Sequence, residues 1–184
     1  MVGFFKGLGT AMVTPFTADG KINFQSFANM IEYQIAGGAD MLLVLGTTGE
    51  PPTMTVDEKV ALMSFAAEKV AGRAKLVFGC GSNSTMHAVE GATLAEELGA
   101  DGLLAVTPYY NKCTQRGIVE YYKTICAATK LPVIAYNVPP RTGVNILPAT
   151  AEELASIPNM AGIKEACGNM EQICETMRRI RGKM

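Results

Sequence analysis

A single lysine, Lys164, follows a short apolar run at the point where a strand should give way to a helix, within the segment AGIKEACGN (161–169). An amine held among apolar neighbours loses proton affinity, because desolvation disfavours its charged form. The neutral amine can attack a ketone and form an imine, which is the usual chemistry of a catalytic lysine. A lone lysine at a strand end can also simply extend to water, so Lys164 by itself does not decide the chemistry.

Hydroxyl groups and one guanidinium follow other apolar runs of the chain. They belong to Thr47, Thr48, Tyr110, Tyr136 and Arg141. A tyrosine can exchange protons with a reacting group, and threonine hydroxyls with backbone amides can hold a carboxylate. Each residue also has an ordinary interpretation, because tyrosines commonly pack with the hydroxyl at the surface and threonines commonly occupy turns.

Histidine and cysteine content restricts the chemistries that are available. His87 is the one histidine in 184 residues, which disfavours multi-histidine metal sites and Ser-His or Cys-His catalysis. The five cysteines contain no C-x-x-C pair, which predicts free, buried thiols in place of a zinc site or a disulfide framework. We therefore expect neither a metal nor a cofactor.

Charge and hydropathy indicate a protein that acts on small molecules. The net charge is −1, and no basic cluster with interleaved aromatics indicates nucleic-acid binding. No apolar run approaches the roughly 18 residues of a membrane-spanning helix. Residues 1–15 lack the basic start and the cleavage site of a secretory signal. We predict a cytoplasmic protein whose partners are small molecules or copies of itself, without nucleic acid or membrane.

The elements that must position these residues are parallel strand-helix units. Short apolar runs alternate with helical patterns at a spacing of about 30 residues. Predicted strands occupy 7–13, 40–46, 75–81, 101–108, 131–139 and 159–166. Among the helices that follow, one starts at Thr55 with a capping box to Glu58, and the last is capped by Asn169 with Gln172. The apolar runs do not alternate strictly, so the strands should be covered on both faces.

Six such units predict an α/β fold in a single domain, residues 1–184. The fold is a parallel (β/α)8 TIM barrel of which the chain supplies about the first six βα units, because the whole fold needs eight units and about 250 residues. An open doubly wound sheet is the alternative, although the G-x-G-x-x-G phosphate fingerprint is missing. In a parallel barrel the chemistry lies at the C-terminal ends of the strands, where the residues named above should meet.

Four motifs, in order along the chain, carry a resemblance to a known family. They are GTTGE (46–50), TPYYNK (107–112), YNVPPRTG (136–143) and GIKEACGN (162–169). Together they resemble the dihydrodipicolinate synthase family of pyruvate-dependent lyases, a group that includes N-acetylneuraminate lyase. The resemblance runs from about residue 5 to the end of the chain. It implies a barrel fold and class I, imine-forming carbon-carbon bond chemistry.

The resemblance assigns a role to each candidate residue. It implies that Lys164 forms the imine with pyruvate and that Tyr136 exchanges protons with that imine, linked through the Thr47 hydroxyl to Tyr110. Thr48, with the backbone N–H groups of Thr47 and Thr48, would bind the pyruvate carboxylate. In the family, the tyrosine that matches Tyr110 reaches the neighbouring subunit's site. This implies a homo-oligomer, a dimer that is commonly part of a homotetramer.

Arg141 bears on the second substrate. The resemblance implies that its guanidinium binds the carboxylate of aspartate 4-semialdehyde, a planar fork on a planar anion, which places the reaction in lysine and diaminopimelate biosynthesis. Sialic acid lyases usually carry serine where Thr47 stands, and they lack this arginine. Two alternatives stay open, namely the same chemistry with a sugar-acid or other aldehyde, and a catalytically silent fragment.

The chain departs from the family in length and in one regulatory region. Family members continue for two more barrel units and a C-terminal helical region, so we expect a truncated chain with unpaired edge strands and reduced activity. Relatives inhibited by lysine tend to have histidines and a glutamate where this sequence has Val56, Lys59 and His87. These replacements disfavour a cationic ligand and predict weak or absent feedback by lysine.

Overall fold

A computed structural model describes residues 4–184, so the first three residues of the predicted domain lie outside the described part. The strands are β1 (Gly9–Ala11), β2 (Met41–Val44), β3 (Lys75–Gly79), β4 (Gly102–Val106), β5 (Val133–Asn137) and β6 (Met160–Glu165). The helices are α1 (Phe24–Ala36), α2 (Val56–Val70), α3 (Thr85–Glu97), α4 (Gln115–Ala127), α5 (Pro139–Thr142), α6 (Pro148–Leu154) and α7 (Met170–Ile180).

The strands form one parallel sheet in the order of the sequence, from β1 to β6. A sheet in sequence order is the arrangement of a barrel, whereas a doubly wound sheet reverses its order at a switch point. The predicted parallel α/β barrel arrangement is therefore confirmed, and the doubly wound alternative is wrong. Among residues 4–184, β1 and β6 each pair on one side alone, as the sequence predicted for edge strands.

Apolar side chains cover both faces of the sheet. The outer face, which includes the fully buried Leu103, packs against the helices, and these contribute fully buried residues such as Phe27 and Tyr122. The inner face is a smaller cluster made of Leu43, Val77, Leu104, Ile134, Tyr136 and Val138. Leu103 and Leu104 are consecutive and belong to different faces, because side chains along a strand alternate. Covering on both faces, as predicted, explains the continuous apolar runs.

Side-chain caps fix where the helices begin. The predicted capping box of α2 is present, since the Thr55 hydroxyl accepts from the Glu58 backbone N–H and the Glu58 carboxylate accepts from that of Thr55. Asn169 caps α7 by accepting from the backbone N–H of Gln172 at 3.1 Å. The Gln172 side chain does not complete a capping box with Asn169. It exchanges hydrogen bonds with the Asn145 side chain.

The predicted state of the cysteines is confirmed in part. All five cysteines are free, and burial raises the pKa of the Cys80 and Cys126 thiols to about 12. Cys113 and Cys167 are half-buried and Cys174 on α7 is exposed, so the prediction of buried thiols is wrong for these three. Over residues 4–184, no helix is long and apolar enough to cross a membrane, and no three acidic, cysteine or histidine side chains gather as metal ligands.

Candidate functional site

Lys164 and Tyr136 lie side by side near the C-terminal ends of β6 and β5. Their Cα atoms are register partners, and partners in a parallel pair point to the same face of the sheet. That face is the inner one, because Tyr136 belongs to the inner apolar cluster. The Lys164 Nζ atom lies 4.4 Å from the centroid of the Tyr136 ring. The structure therefore brings together the amine and the phenol that the sequence predicted as neighbours.

Desolvation dominates the electrostatics of Lys164. The side chain is exposed at the mouth of the inner face, so it is less enclosed than an interior lysine. Nearby atoms nevertheless desolvate the amine and lower its pKa below the ordinary lysine value. The face of the Tyr136 ring attracts an ammonium group and acts in the opposite direction. Because the net shift is downward, the neutral, nucleophilic fraction of the amine is larger than for an ordinary lysine at the same pH.

A cavity of about 320 Å³ opens on the inner face of the sheet. Its walls are largely apolar and include Leu43, Val77, Leu104 and Ile134. Lys164 is the one residue with an ionisable side chain among those that line it. A small ketone that enters this cavity would therefore meet the Lys164 amine at the edge of an apolar wall.

The GTT segment after β2 forms one turn of 3-10 helix, Thr47–Gly49, at the same end of the sheet. The N–H groups of Thr47 and Thr48 are the first donors of this turn and have no partner within it. The buried Thr14 hydroxyl donates to the Gly49 carbonyl oxygen at 2.8 Å and fixes the turn to the chain that leaves β1. The turn presents two exposed threonines with their amides, which is the chemistry that a carboxylate site requires.

Gly79, the last residue of β3, allows this turn to approach the strand end. A methyl group at position 79 would overlap the Leu45 carbonyl oxygen and crowd the Gly46 nitrogen. The obstructing atoms belong to the backbone, so they cannot be relieved by a rotamer change. Leu45 already has a left-handed backbone with φ of 59°, which leaves the segment little freedom to adjust.

We expect Gly79→Ala to displace the Leu45–Gly46 peptide and with it the Thr47–Gly49 turn. Overpacking of this kind should lower the free energy of unfolding by about 1–3 kcal/mol. It should also weaken pyruvate binding more than a substitution elsewhere that lowers the free energy of unfolding by the same amount. Thermal unfolding and the pyruvate concentration at half-maximal imine trapping measure the two effects.

The matched control is Gly117→Ala on α4, where an added methyl group makes contacts of 3.4 Å. Alanine is the better helix former, so this control should be neutral or slightly stabilising. Equal behaviour of the two variants would contradict the role given to Gly79.

Tyr110 and Arg141 lie on the neighbouring loops after β4 and β5. Tyr110 is 87% exposed, and its backbone N–H donates to the Thr142 carbonyl oxygen at 3.3 Å. Arg141 is exposed on the short helix α5. Among residues 4–184, no side-chain hydrogen bond connects Thr47 with Tyr136 or with Tyr110. The proton relay that the resemblance implies therefore stays a prediction.

The helix α5 itself was missed by the sequence reasoning. Pro139 occupies its first turn, and Gly143 follows it with a left-handed backbone, φ 70°. Proline at a helix start and glycine just after its end is a recognised pair of signals. The segment PPRTG therefore contained the information, but a helix of four residues is too short for its apolar periodicity to show.

A polar network behind the site was also missed. The fully buried Asn137 donates from Nδ2 to Glu165 Oε1 and to Asn145 Oδ1, both at 2.9 Å, and accepts from the Ile146 backbone N–H at 2.9 Å. Gln172 exchanges hydrogen bonds with Asn145 at 2.8 and 3.0 Å. The available signal was a polar residue directly after each inner-face residue, Tyr136–Asn137 and Lys164–Glu165, because consecutive strand residues face opposite ways.

Comparisons with known proteins agree with this geometry. The model of the Dihydrodipicolinate synthetase family matches residues 4–184. A relative from Alkaliphilus oremlandii, named 4-hydroxy-tetrahydrodipicolinate synthase, is 52% identical over 174 residues, which is 95% of this chain and 60% of the relative. A relative of the same name from Caldicellulosiruptor bescii is 48% identical over 174 residues, 95% of this chain and 59% of its own.

Solved structures give the same result. A dihydrodipicolinate synthase from Thermotoga maritima matches with a TM-score of 0.94 and 45% identity over 97% of this chain and 61% of its own. A chloride-inhibited dihydrodipicolinate synthase from Acinetobacter baumannii, complexed with pyruvate, matches with a TM-score of 0.95 and 40% identity, again over 97% and 61% of the two chains. The chain thus spans about 60% of the length of the relatives it matches. Since the family model covers every described residue and the parallel barrel strands place a lysine beside a tyrosine at their C-terminal ends, the chain belongs to the Dihydrodipicolinate synthetase family.

Proposed function

We propose that this protein condenses pyruvate with aspartate 4-semialdehyde through an imine on Lys164, as a 4-hydroxy-tetrahydrodipicolinate synthase. The observation that carries the proposal is the Lys164 amine, with its lowered pKa, 4.4 Å from the centre of the Tyr136 ring at the mouth of an apolar cavity. Family membership and the names of the relatives support the same reaction. The proposal includes a cytoplasmic role in lysine and diaminopimelate biosynthesis and a homo-oligomer, either a dimer or a tetramer.

The chemistry begins with the neutral amine of Lys164. Its Nζ attacks the C2 carbonyl carbon of pyruvate, the former carbonyl oxygen leaves as water, and an imine remains. Loss of a proton from C3 then gives an enamine, whose C3 attacks the aldehyde carbon while the aldehyde oxygen gains a proton. We assign the transfer of these protons to Tyr136, whose ring lies beside the Lys164 amine, with Thr47 and Tyr110 as its proposed relay. No metal or organic cofactor enters this scheme.

Two carboxylates have to be held during these steps. We assign the pyruvate carboxylate to Thr48 and to the Thr47 and Thr48 N–H groups at the start of the 3-10 turn. The carboxylate of aspartate 4-semialdehyde is assigned to Arg141, whose guanidinium can bind it through two parallel hydrogen bonds. A rate comparison with aspartate 4-semialdehyde and with a sugar aldehyde tests this assignment. The proposal requires the semialdehyde to react faster.

Intact-mass measurement after incubation with pyruvate and borohydride tests the imine. We expect the protein to gain the mass of one reduced pyruvyl group, and to gain nothing when either reagent is omitted. Absence of the adduct in folded protein would contradict the proposal and would favour the catalytically silent alternative.

The pH dependence of imine formation should reflect the lowered pKa of Lys164. A lower pKa gives a larger neutral fraction of the amine at a given pH. The rate should therefore rise with pH and reach half of its maximum at a pH below the pKa of an ordinary lysine, about 10.4. Samples taken over time at each pH and reduced at a common pH give this profile. A half-maximal rate at the ordinary lysine pKa would show that the site does not activate the amine.

A further inference from the structure

Strand β6 contains one residue more than its pairing with β5 requires. Met160 pairs with Val133 and Gly162 pairs with the next residue, Ile134, so Ala161 is the extra residue of a bulge. The packing agrees with this interpretation. Met160 and Ile163 are three residues apart, yet both pack into the outer core, whereas strict alternation places such residues on opposite faces.

The bulge determines which way the lysine points. Beyond it, Lys164 lies opposite Tyr136 on the inner face, and Glu165 lies opposite Asn137 on the outer face. A regular β6 continuing from the Met160–Val133 pair would place Ile163 opposite Tyr136. Lys164 would then share the outer face with Asn137, because a slip of one residue exchanges the two faces of a strand.

Polar contacts at the end of the strand hold the bulged register. The Asn137 Nδ2 atom donates to the Glu165 carboxylate at 2.9 and 3.0 Å, and the same carboxylate accepts from the Cys167 backbone N–H at 2.8 Å. Asn145 and the Ile146 backbone fix the other side of Asn137. A slipped strand would separate Glu165 from Asn137 and leave a fully buried amide short of a partner, which is costly.

We propose that Glu165 and Asn137 are positioning residues that select the bulged register of β6 and thereby keep Lys164 on the inner face beside Tyr136. Ala161 absorbs the mismatch of one residue between the two halves of the strand. The inference rests on the proposed function for its effect on imine formation, whereas the direction of the side chain is a property of the fold alone.

The test uses three variants of the protein, namely Glu165→Ala, deletion of Ala161, and both changes together. Glu165→Ala should slow pyruvate trapping at least about tenfold, because the strand can slip and carry the amine away from the site. Deletion of Ala161 alone should leave trapping within about twofold, because a regular strand without the extra residue keeps Lys164 opposite Tyr136. The double variant should recover the rate, an effect that loss of stability alone would not produce.

Two further variants serve as controls. Glu165→Gln keeps an oxygen that accepts from both Asn137 and Cys167, so its trapping rate should stay near that of the parent. Glu153→Ala changes an exposed glutamate of α6 and should have no effect. Thermal unfolding of each variant separates a change of register from a loss of folded protein.

Acetylation of Lys164 without pyruvate, measured by peptide mass relative to Lys130, reports the environment of the amine independently of the reaction. If the parent forms no adduct, the proposed function fails, and the acetylation ratios still test the register. We expect the ratio to change in Glu165→Ala and to return in the double variant. The inference would be overturned if the ratio in Glu165→Ala equalled that of the parent, or if the ratio in the double variant did not return to the parent's. If Glu165→Ala fails to fold, the other two single variants decide. The inference would then be overturned if folded Glu165→Gln, or the folded deletion variant, did not keep the trapping rate and the acetylation ratio of the parent.

Discussion

Replacing Lys164 with alanine should abolish the reduced pyruvyl adduct and lower condensation by about 10⁴-fold or more, because the nucleophile that forms the imine is lost. Folding should be little affected. Lys164 is exposed, and substitutions at exposed positions usually change the free energy of unfolding by less than about 0.5 kcal/mol. Intact mass after borohydride, steady-state rates and thermal unfolding measure the three effects.

Lys130→Ala is the matched control for this experiment. Lys130 is an exposed lysine that precedes β5, at the opposite end of the strands from Lys164. Its loss should leave both the adduct and the condensation rate unchanged. A Lys164→Ala protein that still accumulated the adduct would show that a different amine reacts with pyruvate.

Replacing Tyr136 with phenylalanine should lower the condensation rate by about 10²-fold or more, because the hydroxyl that moves protons is removed. The ring itself is retained. Tyr136 is 7% exposed and packs in the inner cluster, so phenylalanine fills the same space and keeps an aromatic face near the Lys164 amine. Borohydride should therefore still trap an adduct, although it forms more slowly, and the thermal stability should be nearly unchanged.

A large loss of condensation activity with adduct trapping retained would identify the Tyr136 hydroxyl as a group that transfers protons. A change that merely disturbed packing would lower the unfolding temperature and both activities together. Tyr33→Phe is the control, since Tyr33 is 76% exposed on α1 and should tolerate loss of its hydroxyl. Full condensation activity in Tyr136→Phe would contradict proton transfer by this residue.

The strands and the position of Lys164 followed from the sequence because their signals are local. An apolar run that ends at Ile163, followed by a lysine and then by Gly168 and Asn169, indicates a strand end and a helix cap. Strand limits were less accurate. The predicted strand 131–139 is observed as Val133–Asn137, because Pro132 lacks an N–H for the ladder and Pro139 already begins a helix.

The features that aim the lysine could not be read from the sequence. A bulge at Ala161 shifts the pairing by one residue and leaves no compositional mark, since alanine occurs in any strand or helix. The contact between Asn137 and Glu165 joins residues that are 28 positions apart, so it depends on the register itself. The exposure of the Lys164 side chain likewise depends on which residues pack around it, and that packing joins distant parts of the chain.

Some expectations from the family resemblance stay predictions. The proton relay from Tyr136 through Thr47 to Tyr110 has no hydrogen bond to support it among residues 4–184. The exposure of Tyr110 is compatible with a side chain that reaches a second subunit, and the homo-oligomer stays a prediction. Weak feedback by lysine also stays a prediction. Exposed His87 and the half-buried Lys59 lie near the starts of α3 and α2, where they would add positive charge or hydrogen-bond donors against a cationic ligand.

Mapping the reduced pyruvyl adduct to a residue is the most direct test of the account. The protein is incubated with pyruvate, reduced with borohydride, digested and sequenced by tandem mass spectrometry. We predict one modified lysine, located in the peptide that contains Gly162 to Asn169, with the added mass on Lys164. An adduct on any other lysine, or one spread over several surface lysines in proportion to their exposure, would contradict it.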